Sequence, residues 1–218
     1  EALSSHQGAL GAGSTKRGIA PVYADKAYRH GIRMADLISP ELFKTKLHKA
    51  YAFNVGIVTK VFGLPFEKTE EEIYQDYLQY GEKLRQFISN TELELFLGYK
   101  QGKRILFESS QGMALDLDHG VYPHTTSSNN VAGFADVGSG VGINQVTKNI
   151  GVVKAYLSRV GVSPLPTELL NETGDWIRAK CFEFGTTTGR PRRIGWLDLV
   201  QVRQAVREVE EALVNLQS

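Results

Sequence analysis

Cysteine is nearly absent from this sequence, in which Cys181 is the only one. An internal disulfide is therefore impossible, which argues against a secreted, disulfide-stabilised scaffold. The sequence also lacks the ~18 consecutive apolar residues of a membrane span, and its start lacks the charged and apolar regions of a signal peptide. No charge predominates, because 25 Lys and Arg offset 24 Asp and Glu, unlike in most nucleic-acid-binding domains. We expect a cytoplasmic protein that binds neither membranes nor nucleic acid.

The composition is typical of a globular domain, with 42% hydrophobic and 22% charged residues among 218. Apolar residues recur at helical spacing in the segments 42–61, 73–88 and 198–216. A further helix is predicted at 172–180, and strands are predicted at 103–108, where the strand is expected to be buried, and at 152–162. Because strands and helices alternate with glycine-rich loops between them, we predict an α/β fold with a central, largely parallel sheet flanked by helices. Ligands bind such sheets at the loops beyond the strand ends.

The loop at residues 185–193, GTTTGRPRR, combines hydroxyl groups, glycines and positive charge. Its glycines allow backbone N–H groups to approach a ligand closely. The three arginines Arg190, Arg192 and Arg193 suit a carboxylate or phosphate, which a guanidinium can bind through two parallel hydrogen bonds. We predict an anion site in this loop, and a solvated basic loop is the alternative interpretation.

Two further loops are polar. Residues 13–18, GSTKRG, could hold a phosphate through Ser14, Thr15 and backbone amides, but their spacing is not that of a Walker A loop. An ordinary turn is an equally good interpretation. In residues 109–129, the amide of Gln111 suits a base or sugar, and the hydroxyl of Thr126 suits a phosphate.

The acidic and thiol groups near these loops are interpreted as structural. Asp116, Asp118 and His119 could suggest a metal site, but we expect hydrogen bonds that shape the loop and no metal ligand among them. Glu168 is interpreted as a hydrogen-bonded structural carboxylate. Cys181 is interpreted as a small buried residue without a catalytic partner.

Four long motifs occur in one order: GSTKRGIAPVYADKAYRHGIRMADL, FESSQGMALDLDHGVYPHTTSSN, VKAYLSRVGVSPLPTELLNETG and EFGTTTGRPRRIGWLD. Together they resemble the adenylosuccinate synthetase family over most of residues 11–207. The resemblance implies a P-loop-NTPase-related fold and a homodimeric ligase of purine biosynthesis that joins IMP and L-aspartate, using GTP and Mg²⁺. In this family the 6-oxygen of IMP is first phosphorylated, and aspartate then displaces that phosphate.

The resemblance also implies roles for particular side chains. IMP would be bound by Thr15, Gln111, Thr126 and Arg192, and by Arg29 acting from the partner subunit. Gln111 would support the reaction near the 6-oxygen. The aspartate carboxylates would be bound by Thr187, Thr188 and Arg190. Arg192 would also bind GTP, and it would lie near the nucleotide ribose.

Several motifs of the family have no counterpart in this sequence. These are the GDEGKGK-type phosphate loop with its catalytic aspartate, the NAGHT-type segment with the catalytic histidine, and the TKLD-type segment that recognises guanine. The first two are expected before Glu1 and the third after the last match. We therefore expect no catalytic acid, base or metal ligand in these residues, a chain incomplete at both ends, and no activity from residues 1–218 alone.

We interpret residues 1–218 as one partial domain. It would comprise an IMP-phosphate loop and dimer helix (1–38), a helical region (39–102), the IMP- and aspartate-binding loops (103–207) and an unmatched tail (208–218). Two alternatives stay open. One is a non-catalytic relative that binds nucleotide or dicarboxylate, and the other is an enzyme that uses another purine nucleotide in place of IMP.

Overall fold

A computed structural model describes residues 17–142, 146, 148–186 and 189–208. These residues form two compact units, divided between residues 94 and 95. The division lies inside the segment 39–102 that was predicted as one helical region. Each unit has its own cluster of buried apolar side chains.

The first unit consists of helices and connecting loops over its described residues. Its α-helices are α1 (Ile19–Tyr28), α2 (Pro40–Gly56) and α3 (Glu70–Leu84), and α4 (Thr91–Lys100) begins in it. Short 3-10 segments cover Met34–Ile38 and Arg85–Phe87, and a π-helical turn covers Ile57–Val61. The helices predicted at 42–61 and 73–88 are confirmed, although the second ends as an α-helix at Leu84.

Two of these helices begin where the sequence predicts. Pro40 lies in the first turn of α2, where its missing N–H costs no hydrogen bond. At the start of α3, the Thr69 hydroxyl accepts a hydrogen bond from the Glu72 N–H at 3.2 Å, and the Glu72 carboxylate accepts one from the Thr69 N–H at 2.7 Å. This capping box satisfies backbone donors that would otherwise lack partners.

The core of the first unit surrounds Phe43 of α2, whose side chain is 1% exposed. Leu37, Leu47 and Tyr74 complete the buried cluster, and the rings of Phe43 and Tyr74 stack with their centroids 5.6 Å apart. Gly81 allows α3 to approach the Met34–Ile38 segment closely, because a Cβ atom at position 81 would lie 2.6 Å from the Leu37 carbonyl oxygen.

The buried face of α3 differs from the predicted apolar stripe. That stripe comprises Ile73, Tyr77, Tyr80, Leu84, Phe87 and Ile88. Tyr77, Tyr80 and Phe87 are exposed, whereas Tyr74 and Gly81 are buried. The reason is that α3 packs against the Met34–Ile38 segment, and helical spacing alone does not specify which side of α3 makes that contact.

The second unit combines helices with one small sheet. After the end of α4, it contains a 3-10 turn (Met113–Leu115), α5 (Phe134–Ser139), β1 (Tyr156–Arg159), α6 (Glu172–Lys180), β2 (Arg193–Trp196) and α7 (Leu199–Glu208). The strands are antiparallel, with Tyr156 opposite Trp196 and Arg159 opposite Arg193. Ile194 of β2 is fully buried and packs with Leu169 and Ile177.

Three predicted elements of the second unit are confirmed. The helix predicted at 172–180 is α6, and the strand predicted within 152–162 is formed over β1. The helix predicted at 198–216 is formed as α7 up to Glu208, and the residues after 208 lie outside the described part of the chain. None of the helices in the described ranges is long and apolar enough to cross a membrane.

The strand predicted at 103–108 is not formed. Leu106, expected to be buried, is 85% exposed, and no described segment pairs with it, although a strand needs a neighbour for its backbone hydrogen bonds. The sheet found among the described residues also differs from the largely parallel one that we predict. It is antiparallel because the chain reverses direction through α6 between β1 and β2.

Candidate functional site

The predicted site residues fall into three groups. Gln111, Thr126, Arg190 and Arg192 lie in the second unit, and Arg29 lies in the first. Thr15, Thr187 and Thr188 lie outside the described residues. Two loops of the second unit, at residues 109–131 and 185–193, therefore contain most of the described candidate site.

The loop at residues 109–131 is organised around the carboxylate of Asp116, which is completely buried. Its oxygens accept hydrogen bonds from the backbone N–H groups of Asp118, His119, Asn130 and Val131 and from the side-chain amide of Asn129. Burial alone would raise the pKa of Asp116, but the hydrogen bonds outweigh it and lower the pKa to about 2. The prediction that Asp116 shapes this loop is confirmed.

Thr126 is hydrogen-bonded into the same loop, and Gln111 lies near the start of that loop. The Thr126 N–H donates to the Leu115 carbonyl at 2.8 Å, which places Thr126 beside the chain that follows Gln111. Gln111 has a left-handed backbone with φ of 63°, which is uncommon outside glycine and often marks a functional position. Its exposed side chain accepts a hydrogen bond from the Ser110 hydroxyl. The amide N–H groups of Gln111 have no acceptor among the described residues, so they are available to a ligand.

Arg159 connects this loop to strand β1. Its Nη2 donates to the His124 carbonyl at 3.0 Å. Its Nε is buried and has no hydrogen-bond partner in the part of the chain that the structure describes. Burial, followed by repulsion from Arg193, lowers the pKa of Arg159. The strand thus presents a positive charge beside the loop, which favours an anionic ligand nearby.

The loop at residues 185–193 is closed by backbone hydrogen bonds. The Gly185 N–H donates to the Arg190 carbonyl at 2.8 Å, and the Gly189 N–H donates to the Gly185 carbonyl at 2.7 Å. Phe184 and Pro191 form an antiparallel bridge just below this turn. Gly189 has φ of 62°, a conformation that side chains other than glycine rarely adopt. Backbone hydrogen bonds therefore hold the turn that contains Arg190.

Arg192 and Arg193 of this loop have different partners. Arg193 makes a two-pronged ion pair with Glu168, at 2.7 Å from Nε, and its Nη1 also donates to the carbonyls of Gly161 and Ser163 at 3.0 and 2.6 Å. The hydrogen bonds from Arg193 lower the pKa of Glu168. The structural role predicted for Glu168 is confirmed, and Arg193 belongs to the same structural pair. Arg192 instead pairs with Glu183, at 2.8 Å.

Two residues beside the loops depart from sequence reasoning. Cys181, predicted to be buried, is exposed because it follows the last turn of α6. Glu183 received no role from the sequence, yet it is buried against Lys154, Tyr156 and Arg192. A single carboxylate directly before an arginine-rich loop is the one signal that could have pointed to it.

The described residues form no metal site by themselves. Within the described ranges, no group of three or more His, Cys, Asp or Glu side chains is placed to hold a metal ion. Asp116 is the most buried acid of these loops, but N–H donors occupy both of its oxygens. It therefore has no oxygen available to bind a cation.

Arg29 follows helix α1 in the first unit, and hydrogen bonds connect the residues around it. Asp25 accepts hydrogen bonds from His30 Nε2 and Asn54 Nδ2, both at 3.0 Å. The backbone N–H of Arg29 is bonded to carbonyls of the last turn, and its φ is 68°. The Arg29 side chain is exposed and has no hydrogen-bond or ion-pair partner among the described residues.

Comparison with known proteins identifies the family. The family model of adenylosuccinate synthetase matches residues 1–216. Adenylosuccinate synthetase from Clostridium acetobutylicum is 47% identical over 207 residues, which cover 94% of this chain and 48% of that protein. The protein of the same name from Clostridium botulinum strain Alaska E43 is 49% identical over 198 residues, covering 89% and 45%.

A solved structure shows the same relationship. The structure of fully ligated adenylosuccinate synthetase from Plasmodium falciparum superimposes with a TM-score of 0.81 at 35% sequence identity, covering 94% of this chain and 48% of that one. This confirms the predicted α/β class. The chain spans about half the length of the relatives it matches, and the family match extends through most of the segment 208–218 that sequence analysis leaves unmatched. The chain therefore belongs to the adenylosuccinate synthetase family.

Proposed function

We propose that the native protein containing this chain joins IMP and L-aspartate to form adenylosuccinate, in a GTP-dependent reaction of AMP biosynthesis in the cytoplasm. One observation carries the proposal. The closed, arginine-bearing loop at 185–193 and the Asp116-centred loop with Gln111 and Thr126 belong to one compact unit. Their side chains have the chemistry for a dicarboxylate and for a nucleotide, which are the two partners to be joined.

The proposed reaction has two steps. GTP phosphorylates the 6-oxygen of IMP, and the amino group of aspartate then displaces the phosphate from carbon 6. Gln111 and Thr126 bind IMP, with the amide of Gln111 near the 6-oxygen, and Arg192 contacts the nucleotide ribose. Arg190, with Thr187 and Thr188, binds the aspartate carboxylates through charge-assisted hydrogen bonds. No group of three or more His, Cys, Asp or Glu among the described residues is placed to hold the Mg²⁺ of the family.

An exposed helix supports the homodimer that belongs to this proposal. Helix α1 buries none of its residues, and its Val22 and Tyr28 are 63% and 67% exposed. Apolar side chains on an unburied helix favour contact with another copy of the chain. Arg29 follows immediately, with a held backbone and an exposed side chain, which suits a residue that reaches the IMP phosphate in the partner subunit.

Subunit mixing tests the proposed role of Arg29. The variants Arg29→Leu and Gln111→Ala are each expected to be inactive, and a mixture of the two is expected to recover activity. A hybrid dimer has one site in which both Arg29 and Gln111 are intact. With random exchange about half the dimers are hybrids, so the mixture should reach roughly a quarter of the wild-type rate. Adenylosuccinate formation is measured after mass spectrometry has verified subunit exchange.

A mixture of Gln111→Ala with Thr126→Ala is the matched control. Both residues belong to the same loop of one subunit, so every site in that hybrid contains one of the two substitutions. This mixture should stay inactive. If the Arg29 and Gln111 variants remain as inactive together as apart, the cross-subunit role of Arg29 is wrong.

An absorbance assay with GTP, IMP and L-aspartate tests the proposed function itself. We expect the native protein to turn over at about 1 s⁻¹ or more and residues 1–218 alone to show no turnover. Phosphoryl transfer depends on a phosphate cradle and metal-assisted charge stabilisation, and this sequence lacks the GDEGKGK-type loop. Binding without turnover by the native protein would indicate a non-catalytic relative. Turnover with another purine nucleotide in place of IMP would correct the substrate, and turnover by residues 1–218 alone would contradict our placement of the catalytic residues.

A further inference from the structure

We infer that Glu183 is a positioning residue that orients Arg192 toward the nucleotide, and so controls nucleotide binding without contacting the ligand. The inference rests on the proposed function, in which Arg192 contacts the nucleotide. Glu183 lies directly before the loop at 185–193, and only 3% of the residue is exposed. A buried carboxylate requires partners, and the identity of these partners indicates its role.

Three donors converge on the Glu183 carboxylate. Its Oε1 accepts hydrogen bonds from Lys154 Nζ and the Tyr156 hydroxyl, and its Oε2 accepts one from Arg192 Nη1 at 2.8 Å. Burial alone would raise the pKa of Glu183, but these three hydrogen bonds lower it to about 2. Glu183 is therefore ionised at neutral pH and holds Arg192 through a charge-assisted hydrogen bond.

The backbone of Arg192 is held in the same region. Its N–H donates to the Glu183 carbonyl at 2.9 Å, and its own carbonyl accepts a hydrogen bond from Arg178 Nε at 2.8 Å. With the backbone bonded on both sides and Nη1 held by Glu183, the guanidinium has little freedom to rotate. Its Nε and Nη2 have no acceptor among the described residues, so these donors can serve a ligand.

The orientation of Arg192 is separable from the shape of the loop. The turn that contains Arg190 is closed by backbone hydrogen bonds between residues 185, 189 and 190, none of which involves the Glu183 side chain. Loss of the Glu183 charge should therefore release the Arg192 side chain and leave the aspartate-binding turn closed. An arginine that is already ordered in the free protein loses less side-chain entropy on binding than a mobile one.

A double-mutant cycle in the native protein tests the inference. Glu183→Gln keeps the size of the side chain and removes its charge. Arg192→Ala identifies the nucleotide, IMP or GTP, whose binding depends on Arg192. We expect Glu183→Gln to raise the KM of that nucleotide about tenfold and to change the KM of aspartate by less than about twofold. In the Arg192→Ala background, Glu183→Gln should change the nucleotide KM by less than about twofold, because no guanidinium remains to be oriented.

Tyr156→Phe is the matched control. It removes one donor from Oε1 of Glu183 and leaves the bond between Oε2 and Arg192 in place, so the nucleotide KM should stay within about twofold of wild type. If circular dichroism shows that Glu183→Gln does not fold, Glu183→Asp replaces it, since aspartate keeps the charge but withdraws the carboxylate from Nη1. Failure of both variants to fold would leave Glu183 a purely structural role and overturn the inference.

Three kinetic outcomes would also overturn it. One is an equal rise in the KM values of nucleotide and aspartate, which would mean that Glu183 only shapes the loop. The second is that the effects of Glu183→Gln and Arg192→Ala on the nucleotide KM are additive. The third is that Arg192→Ala leaves the nucleotide KM unchanged. These outcomes can be distinguished from a failure of the proposed function, because in that case the wild-type protein itself would form no adenylosuccinate. In that case the same cycle, measured as dissociation constants of IMP and GTP by calorimetry, decides the inference.

Discussion

Replacing Arg190 with alanine is expected to raise the apparent KM for aspartate about 30- to 1,000-fold, because loss of a charge-assisted, two-pronged contact costs roughly 2–4 kcal/mol. The Arg190 carbonyl accepts the hydrogen bond from the Gly185 N–H that closes the loop. This bond survives the substitution, so the loop should keep its shape while the guanidinium is lost. Steady-state kinetics of the native protein, with aspartate varied at saturating IMP and GTP, measure the effect.

Two further variants make the Arg190 result specific. Arg203→Ala removes an exposed arginine from α7 of the same unit, and it should leave the aspartate KM within about twofold of wild type. Arg190→Lys should restore little, because lysine has the charge but lacks the planar fork that matches a carboxylate. An unchanged aspartate KM and a normal rate in Arg190→Ala would exclude an aspartate-binding role for this residue.

Asp116→Asn is expected to lower the free energy of unfolding by about 2–4 kcal/mol and to weaken IMP binding. The amide nitrogen of asparagine would face N–H donors that now point at a carboxylate oxygen, so buried donors would lose their acceptor. Urea unfolding of the chain, followed by tryptophan fluorescence, measures the change. Both tryptophans, Trp176 and Trp196, lie in the second unit and so report on it.

Asp118→Asn is the matched control for Asp116. Asp118 is exposed, and among the described residues its carboxylate accepts a single hydrogen bond, from Asn129 at 2.6 Å. Its substitution should cost less than about 1 kcal/mol. Equal destabilisation by the two variants would show that the buried network around Asp116 does not hold the loop.

The free energy of unfolding of the second unit should also depend on pH, because Asp116 is protonated more easily in the unfolded chain than in the folded one. Its pKa is about 2 in the folded chain against an ordinary value of 3.8, so the unfolded chain binds the proton more readily. The resulting stabilisation, about 2 kcal/mol, is complete above about pH 5 and is lost as the pH falls toward 2. The wild-type protein should therefore lose this much more stability than Asp116→Asn between pH 5 and 2. If the free energy of unfolding changes with pH in the same way for both proteins, Asp116 does not contribute this acid-dependent stability.

The sequence by itself determined the features that depend on near neighbours along the chain. Thr69 and Glu72, three residues apart, specify the start of α3 because their side chains cap each other's backbone N–H groups. Asn171 likewise specifies the start of α6, because its side chain accepts a hydrogen bond from the Gly174 N–H three residues later. The family could be identified for the same reason, since each motif is a contiguous segment whose residue types are visible without any structure. The loop-shaping role of Asp116 also follows from short-range chemistry, because its partners lie within 15 residues of it.

Only the tertiary structure decided which charged groups meet. Nothing in the segment RPRR distinguishes Arg192 from Arg193, yet Arg193 pairs with Glu168, 25 residues earlier, and Arg192 pairs with Glu183. Lys154 reaches Glu183 across 29 residues in the same way. Leu106 has the apolar character of a strand residue but remains exposed, because no described segment pairs with it. Side-chain period and composition set what a segment can do, whereas the partner that satisfies a buried charge or an open strand depends on which distant segments pack together.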